Sequence, residues 1–585
     1  MLRGDRAVIW PMAHPIAAHF DVPELYWHGT KLHYRFATRI IEIGRNGSFL
    51  SNSYMNAFPY QKWREHAAVG DLTLNVKYRG GEAYLNLFGE LAGRRSLIAS
   101  EFLPKSLETR QISISVPRQR DDIVLLTCEI EAAEKTELLD LHYTTNAETE
   151  RKLSLAIVIT TFNRPEDLAD ALRTLSGIDD YPFRISVYVV NNGRPLKGLP
   201  EDIKINVIEN RNLGGAGGFS RGLYEIEKIG EFSHVMFMDD DALCHPISIY
   251  RTLQFLSFSK HQNAAVSGAM LYTEHPGLQY ELGARAARYG LESVNQNFDL
   301  RDFQNVLRNE SADPLLFGPW WYFVFPISQV SRLPFPFFVR GDDVAFSLQN
   351  NFELFTLPSV GSWQPSFEYK INAATEYLAT RSFVALPVTV DSSHWTKDMV
   401  IAGFCTQFQR EVASYRYAIG EAMLAALEDV MSGPDFWRSE ANTVARLGRL
   451  RVLEAEATAR AQLDAPVLTD FNKIGRQCGR VWWKLQRMFG VMSRFKFRKA
   501  GLTHNMWPQP VEAAARRGMI YSSPDGVNRF SCRYERKWEK SLNARCLELT
   551  LAYRERFEDL RAEYEAARDS LQGVSAWEEK FSVKP

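Results

Sequence analysis

The chain has no paired cysteines, no long apolar run and almost no net charge, and each lack excludes a class of protein. Its six cysteines (Cys128, Cys244, Cys405, Cys478, Cys532 and Cys546) are scattered through 585 residues without a CxxC spacing. That pattern shows no disulfide framework, argues against a structural zinc site and fits a reducing compartment. No stretch approaches the roughly 18 apolar residues needed to span a bilayer. The opening Met1-Leu-Arg-Gly-Asp-Arg6 leads into no long apolar segment with a small-residue cleavage site. The expected location is therefore cytoplasmic, peripheral on the cytoplasmic face of the inner membrane. A formal net charge of -1 gives no global basic footprint for nucleic acid. What is present is an ordinary globular composition, 45% hydrophobic and 24% charged, in a chain long enough for roughly three or four domains.

Residues 1–150 alternate with period two. Leu32 to Ile40, Leu72 to Tyr78, Ala83 to Phe88, Ile112 to Val116, Ile123 to Cys128 and Leu138 to His142 read as strands. The second and third are joined by the hairpin signal Arg79-Gly-Gly-Glu82. Short strands at this spacing predict a β-sandwich. It serves either to hold a glycan or a neighbouring subunit, or as an appendage packed on the next domain.

Residues 151–400 change character. Leu153 to Thr160 is a near-continuous apolar strand of the kind buried in a parallel sheet. Thr161-Phe-Asn-Arg-Pro165 follows, then helical spacing from Glu166 to Leu175, a strand from Ile185 to Val190 ending in Asn191-Asn-Gly193, and a third from Ile203 to Ile208. This order predicts a doubly wound sheet. Asn210-Arg-Asn-Leu-Gly-Gly-Ala-Gly-Gly218 reads as a glycine-rich loop before a helix from Phe219 to Ile226. Such a loop lets backbone approach phosphate oxygens, although it lacks the Lys-Ser/Thr of a P-loop. His234 to Ala242 is then an apolar strand that ends in Asp239, Asp240 and Asp241. Two carboxylates on either side of a turn can face one hard cation such as Mg²⁺ or Mn²⁺. The same triplet also reads as an Asp-rich turn.

Taken in order, Thr161-Phe-Asn-Arg-Pro165, Asn212-Leu-Gly-Gly-Ala-Gly-Gly218 and Asp239-Asp-Asp241 resemble an inverting nucleotide-sugar glycosyltransferase of the GT-A type. More closely, the chain resembles the polymerising UDP-galactofuranose transferases of bacterial galactan synthesis. Asn56-Ala-Phe-Pro59, Trp63-Arg64, Gly318-Pro-Trp-Trp321, Leu333-Pro-Phe-Pro-Phe-Phe-Val-Arg-Gly-Asp-Asp343 and the tail from Tyr553 to Trp577 carry that resemblance across nearly the whole chain. It implies a multidomain α/β protein: the β-sandwich (1–150), a central Rossmann-like GT-A domain (151–400) and a mainly helical C-terminal domain (401–585).

The resemblance also implies roles. Phe162 and Arg164 would contact the uridine and its phosphates, with Asn192 on the uracil or ribose side. Asn212, Gly214 and Gly215 would line the pyrophosphate. Asp239 and Asp241 would hold Mn²⁺ or Mg²⁺, and Asp240 would contact the donor sugar or ribose. Trp320 and Trp321 would form a sugar platform; without the family their alternative is core packing. Asp343 would be the general base, with Asp342 orienting the acceptor; the plain alternative is an acid pair capping a helix N-terminus. The family's metal-binding histidine falls on Gln364, with His394 as a substitute ligand. Another family histidine falls around Ala379, and its acceptor-side glutamate near Ala284, with Glu281 close by.

In the C-terminal part, Ala402 to Met431 and Asp435 to Leu463 have helical periodicity, residues 519–533 read as a hairpin, and Glu535 to about Ser570 as a long charged helix that could brace an oligomer. Residues 473–499 interleave nine basic residues with Trp482, Trp483, Phe489 and other apolar side chains, with no acid. That suits an anionic membrane surface or a packed helix with a solvated basic face. The expected activity is transfer of galactofuranose from UDP-galactofuranose to a hydroxyl of a lipid-linked cell-surface glycan, by a homo-oligomer with no nucleic-acid partner. The alternatives are another donor, such as UDP-galactopyranose, or a catalytically weakened glycan-binding protein.

Overall fold

The computed structural model describes residues 6–582 except 17–19, 92, 118–121, 150, 289, 312–313, 391–393, 462, 464–466, 469–498, 508–509, 515, 524 and 528. Nearly all of the basic aromatic stretch 473–499 thus lies outside the described residues. Among those described, no helix is long and apolar enough to cross a membrane.

The N-terminal strands are β1 (Ala7–Pro11), β2 (His28–Arg35), β3 (Ile40–Leu50), β4 (Leu72–Gly80), β5 (Ala83–Leu91), β6 (Arg94–Leu103), β7 (Ser106–Val116), β8 (Leu125–Ala132) and β9 (Thr136–Thr145), with helix α1 (Tyr60–His66) between β3 and β4. They form one nine-stranded antiparallel sheet in the order β6-β5-β8-β3-β9-β4-β7, with β1 on β9 and β2 on β3. The end strands β6 and β7 are joined by Pro104 and Lys105 alone, a link that reaches about 10 Å at most. The sheet therefore wraps until its two ends meet. Its inward row on β4, Leu72, Leu74, Val76 and Tyr78, is at most 2% exposed, as period-two alternation requires.

The central sheet runs β12-β11-β10-β13-β20-β15-β21. Its strands are β10 (Ser154–Thr161), β11 (Arg184–Asn191), β12 (Ile205–Glu209), β13 (His234–Asp239), β15 (Ala264–Ser267), β20 (Phe323–Pro326) and β21 (Glu353–Phe355). The first four are parallel, and β20 lies antiparallel to β13. Leu155 to Ile159 are fully buried, because helices cover both faces of a parallel sheet. Those that matter here are α2 (Pro165–Thr174), α3 (Gly214–Ile229) and α4 (Pro246–Phe258). The chain order reverses about β10, and the crevice at the carboxyl ends of β10, β11 and β13 is where such sheets bind ligands.

The glycine stretch differs from the expected loop: Gly214 to Gly218 are already the first turn of α3. Glycine disfavours a helix by about 1 kcal/mol per residue, yet here closeness decides. A Cβ on Gly218 would lie 2.2 Å from Thr160 Cγ2, and one on Gly222 would lie 2.3 Å from Val158 Cγ1. The helix is pressed onto β10 by having no side chains there.

A smaller sheet, β14-β22-β16-β17, flanks the crevice. It consists of β14 (Leu243–Cys244), β16 (Ala269–Tyr272), β17 (Gln279–Glu281) and β22 (Gly361–Gln364), followed in the fold by the hairpin β18 (Gly283–Ala287) and β19 (Gly290–Val294). The remaining helices of eight residues or more among the described residues are α5 (Phe303–Glu310), α6 (Asp342–Gln349), α7 (Ala373–Thr389), α8 (Lys397–Ala413), α9 (Tyr417–Met431), α10 (Glu440–Arg460), α11 (Arg536–Gln572) and α12 (Val574–Ser582). The continuous periodicity from 402 to 431 is broken at Tyr415, whose φ is +66° and whose hydroxyl donates to Ala513 O at 2.7 Å. Gly518–Ser522 and Arg529–Arg533 pair antiparallel.

The C-terminal helices return to the segment that leads into α6. Gln572 Nε2 donates to Leu333 O (3.1 Å), the Trp577 indole donates to Pro334 O (3.1 Å), and buried Arg381 donates to Phe337 O. At the other junction Arg251, with no exposed surface, donates to the carbonyls of Pro11 and Met55 and to Ser359 Oγ. The first junction rests on an amide, an indole and a guanidinium, and the second on one buried guanidinium, each meeting carbonyls distant in the chain.

Candidate active site

Three strand ends build the crevice. At the end of β10, Thr161 Oγ1 donates to Asp240 Oδ2 (2.8 Å), and Arg164 reaches Asp240 Oδ1 (3.4 Å) and Asp241 Oδ2 (3.1 Å). Pro165 at the first position of α2 sets the helix start, and Asn163 at φ +57° turns the chain so that Arg164 points back. Phe162 stands 49% exposed at this rim. At the end of β11, buried Asn192 donates to Gly214 O (3.1 Å) and accepts from Asn210 Nδ2 (2.8 Å), tying the start of α3 to the strand. Asn212 Oδ1 accepts from Gly214 N at 3.1 Å. A Cβ on Gly215 would lie 3.6 Å from Asp342 Oδ2, so the first turn of α3 abuts the second acid pair.

Each acid of the Asp239 to Asp241 triplet has a different environment. Asp241 is paired with Lys370 (2.6 Å) and Arg164. Burial works against its charge, but these two cations win and hold its carboxyl below the ordinary value. Asp240, buried and beside Asp241, is pushed up to about 7 despite Arg164. Asp239 is raised by burial and then by Asp241. Its close contact is a neutral amide, Gln364 Nε2 to Oδ2 at 3.3 Å.

The second acid pair opens α6. Phe338 and Arg340, both at φ +74°, and Gly341 at the same angle form a strained approach to Asp342. Asp342 is pushed well above the carboxylate range by burial and by Asp343. Asp343 accepts from Val344 N (2.9 Å), and burial with the nearby charge of Asp239 pushes it up to about 7, against Arg340. Glu281, on β17, accepts from Ser293 Oγ and is also pushed up to about 7, by burial and then by Asp343. Six carboxyls, those of Asp239, Asp240, Asp241, Asp342, Asp343 and Glu281, thus share one crevice with Arg164, Lys370 and Arg340. That surplus of hard oxygen donors suits a divalent cation between Asp239 and Asp241.

The two tryptophans are nearly buried, and the substitute histidine sits beside a third tryptophan. Trp320 is 5% exposed, its ring 4.8 to 5.9 Å from those of Phe219, Phe237 and Phe346. This is the core-packing alternative, and it leaves little of the ring open. Trp321 is 7% exposed, donates to Gly268 O (2.8 Å) and comes within 6.5 Å of the Phe367 ring. His394 stacks edge-on with Trp395, whose indole donates to Gly290 O. Of the two candidates for a third ligand, Gln364 is the one beside Asp239.

Sequence reasoning missed Lys370, which follows Gln364 in a short turn with no motif, and passed over Thr161, although it opens the Thr-Phe-Asn-Arg signature. A further grouping joins the modules: His66 Nδ1 is 3.2 Å from His261 Nε2, and His261 Nδ1 is 2.8 Å from Glu353 Oε2, all half-buried. The three side chains form a short polar chain centred on His261.

Residues 152–315 match the glycosyltransferase-like family 2. The chain is 25% identical over 459 residues to galactofuranosyltransferase GlfT2 of Mycolicibacterium smegmatis, covering 71% of this chain and 69% of that one. It is equally 25% identical over 462 residues to galactofuranosyltransferase GlfT2 of Mycobacterium tuberculosis, covering 71% and 70%. Among solved structures, the mannosyltransferase PcManGT of Pyrobaculum calidifontis, in complex with GDP-Man and Mn²⁺, is similar at 16% identity and TM-score 0.28, over 53% of this chain and 83% of that one.

Proposed function

We propose that this chain, a glycosyltransferase with a family 2 domain of GT-A fold at residues 152–315, transfers galactofuranose with inversion from UDP-galactofuranose to a hydroxyl of a cell-surface glycan. The observation that carries the reading is the shared crevice in which Asp239, from a strand end, and Asp343, from a helix start, feel each other's charge. A donor diphosphate and an acceptor base belong on two sides of one reacting carbon.

In this reading Phe162 and Asn192 hold the nucleoside, and Arg164 with the first turn of α3 holds the diphosphate. Asp239 and Asp241 would bind Mn²⁺ or Mg²⁺, which when bound stabilises the negative charge growing on the leaving diphosphate. Asp343, as carboxylate, takes the proton of the acceptor hydroxyl. That oxygen forms its bond to the anomeric carbon as the bond from that carbon to the diphosphate oxygen breaks, and UDP leaves with the electron pair. Asp342 stays protonated in its buried place beside Asp343 and can donate to the acceptor. The wrapped N-terminal sheet is read as the β-sandwich module and α7 to α12 as the helical domain. A lipid-linked acceptor at an anionic membrane, met by residues 473–499, and a homo-oligomer braced by α11 belong to the same proposal. Vesicle co-sedimentation and ultracentrifugation test those two points.

The deciding experiment follows UDP release from UDP-galactofuranose and UDP-galactopyranose, with Mn²⁺ or Mg²⁺ and a galactofuranoside acceptor, for the wild type and Asp343→Ala. Release from the furanose donor that Asp343→Ala abolishes supports the reading. Turnover of the pyranose donor alone overturns the donor assignment. Glycan binding without consumption of either donor favours the glycan-binding alternative suggested by Gln364, Ala379 and Ala284.

A further inference from the structure

Beside the acid crevice lies a second concavity of about 160 Å³ that no step above uses. Its walls come from distant parts of the chain: Tyr272 on β16, Tyr280 on β17, Asn297 after β19, Phe367 and Glu368 after β22, and Trp507 from the C-terminal region. The rings form a bent wall, Tyr272 against Tyr280 at 5.6 Å and Tyr280 against Phe367 at 5.2 Å, both edge-on. Polar groups stand among them. The Tyr272 hydroxyl donates to Asn297 Oδ1 (3.1 Å), and the Trp507 indole, on a residue 37% exposed, bonds the Glu368 carboxyl.

This concavity shares a wall with the reaction crevice on the side of Asp343. The Phe367 ring lies under the Arg340 guanidinium (4.8 Å) and 5.7 Å from the Lys370 ammonium. Arg340 is the cation that tempers Asp343, and Lys370 is the one that holds Asp241. The Trp321 ring comes within 6.5 Å of the Phe367 ring. Tyr280 is followed by Glu281, which feels Asp343.

We propose that this concavity is an acceptor subsite, holding a saccharide unit of the glycan beyond the one whose hydroxyl reacts; the proposal rests on the glycosyltransferase reading above. Aromatic faces and edges pack on the apolar C–H faces of a sugar, while amide, phenol and carboxylate groups bond its hydroxyls. The charge selects the ligand as well. Glu368 has Glu274 beside it, and two carboxylates disfavour a diphosphate while accepting hydrogen bonds from a neutral glycan. The site thus reads the acceptor rather than the donor, and it prefers an acceptor of several units.

The test compares kcat/KM for an octyl galactofuranosyl trisaccharide and an octyl galactofuranoside, with UDP-galactofuranose as donor. The wild type should prefer the trisaccharide, and Trp507→Ala should reduce that preference about tenfold, the effect of removing one well-packed aromatic side chain. Tyr272→Phe, which deletes one hydroxyl, should reduce it about threefold through KM and serves if Trp507→Ala fails to fold. An undiminished preference in both folded variants, or a wild type indifferent to acceptor length, overturns the subsite. If the wild type consumes no donor, the functional reading fails by itself. Saturation-transfer NMR of the trisaccharide then judges the subsite alone. A transfer signal that the wild type gives and Tyr272→Phe or Trp507→Ala abolishes supports it, and a signal of equal strength in all three proteins overturns it.

Discussion

Gln364 donates its amide to Asp239 across 3.3 Å, and among the described residues no ion pair reaches this carboxylate. Asp240 and Asp241 each have a cation; Asp239 has a neutral neighbour where the related transferases are expected to carry imidazole. If the amide turns over, its carbonyl oxygen becomes a hard, weak ligand. Replacing it by imidazole favours transition metals over magnesium. Gln364→His should therefore tighten Mn²⁺ binding about tenfold and Mg²⁺ binding less, by calorimetry on the donor-free protein. Unchanged or weaker Mn²⁺ binding would remove Gln364 from the metal shell.

As the proposed general base, Asp343 should set the pH dependence of transfer. Its carboxyl is pushed up to about 7 by burial and by Asp239, and a general base works only as carboxylate. The acceptor-side rate should rise with pH through about 7 and level above it, and Asp343→Asn should lower kcat by about 10²–10⁴. Stability runs the other way. A folded pKa above the unfolded value of about 4 stabilises the protein fully below that value, and the contribution is lost as pH rises through about 7. The melting temperature of the metal-free wild type should fall relative to Asp343→Asn between pH 4.5 and 7.5. Parallel melting profiles would contradict the buried, raised carboxyl.

The parts that were legible in the sequence were those dictated locally. The apolar runs at Leu153, Ile185 and His234 had to be buried strands, and acids at a strand end had to meet at the crevice where the chain order reverses. Arg164, Asp239, Asp241, Asp342 and Asp343 do share that crevice. The glycines misled because propensity argues against a helix at Gly214 to Gly218, while the close packing of α3 on β10, Gly218 on Thr160 and Gly222 on Val158, leaves no room for side chains there. Lys370, and the burial of Trp320 among three phenylalanines, depend on which segments meet in space, and no periodicity encodes that. Glu281 was noticed only as a neighbour of Ala284; its electrostatic interaction with Asp343, distant in the chain, is a tertiary one.

Lys370 sits 2.6 Å from Asp241 Oδ2, on the carboxylate proposed to take the metal. A bound ammonium competes with a divalent cation for the same oxygen. Lys370→Met should tighten Mn²⁺ binding to the donor-free protein about tenfold at pH 8, where competition from protons is weakened. Titration followed by the electron-spin signal of free Mn²⁺ reads this directly. Weaker binding would mean that Lys370 organises Asp241 rather than occupying the cation's place.

Gly214 joins backbone geometry to the site. Its φ is +71°, and a Cβ there would lie 2.0 Å from Phe338 O, in the strained segment that leads to Asp342. Gly230, at the other end of α3, also has positive φ, +66°, but a Cβ there would meet nothing closer than 3.9 Å. Alanine at Gly230 should cost the left-handed strain alone, about 1 kcal/mol. Alanine at Gly214 should cost about 3 kcal/mol, since either α3 or the Phe338 carbonyl must move. The displacement pushes the first turn of α3 away from Asp342, so Gly214→Ala should also raise the donor KM while Gly230→Ala does not. Thermal unfolding of both variants, alongside donor kinetics, gives the comparison. Equal melting shifts would show that the contact with Phe338, and the coupling it provides between the glycine turn and the acid pair, is not what fixes this glycine.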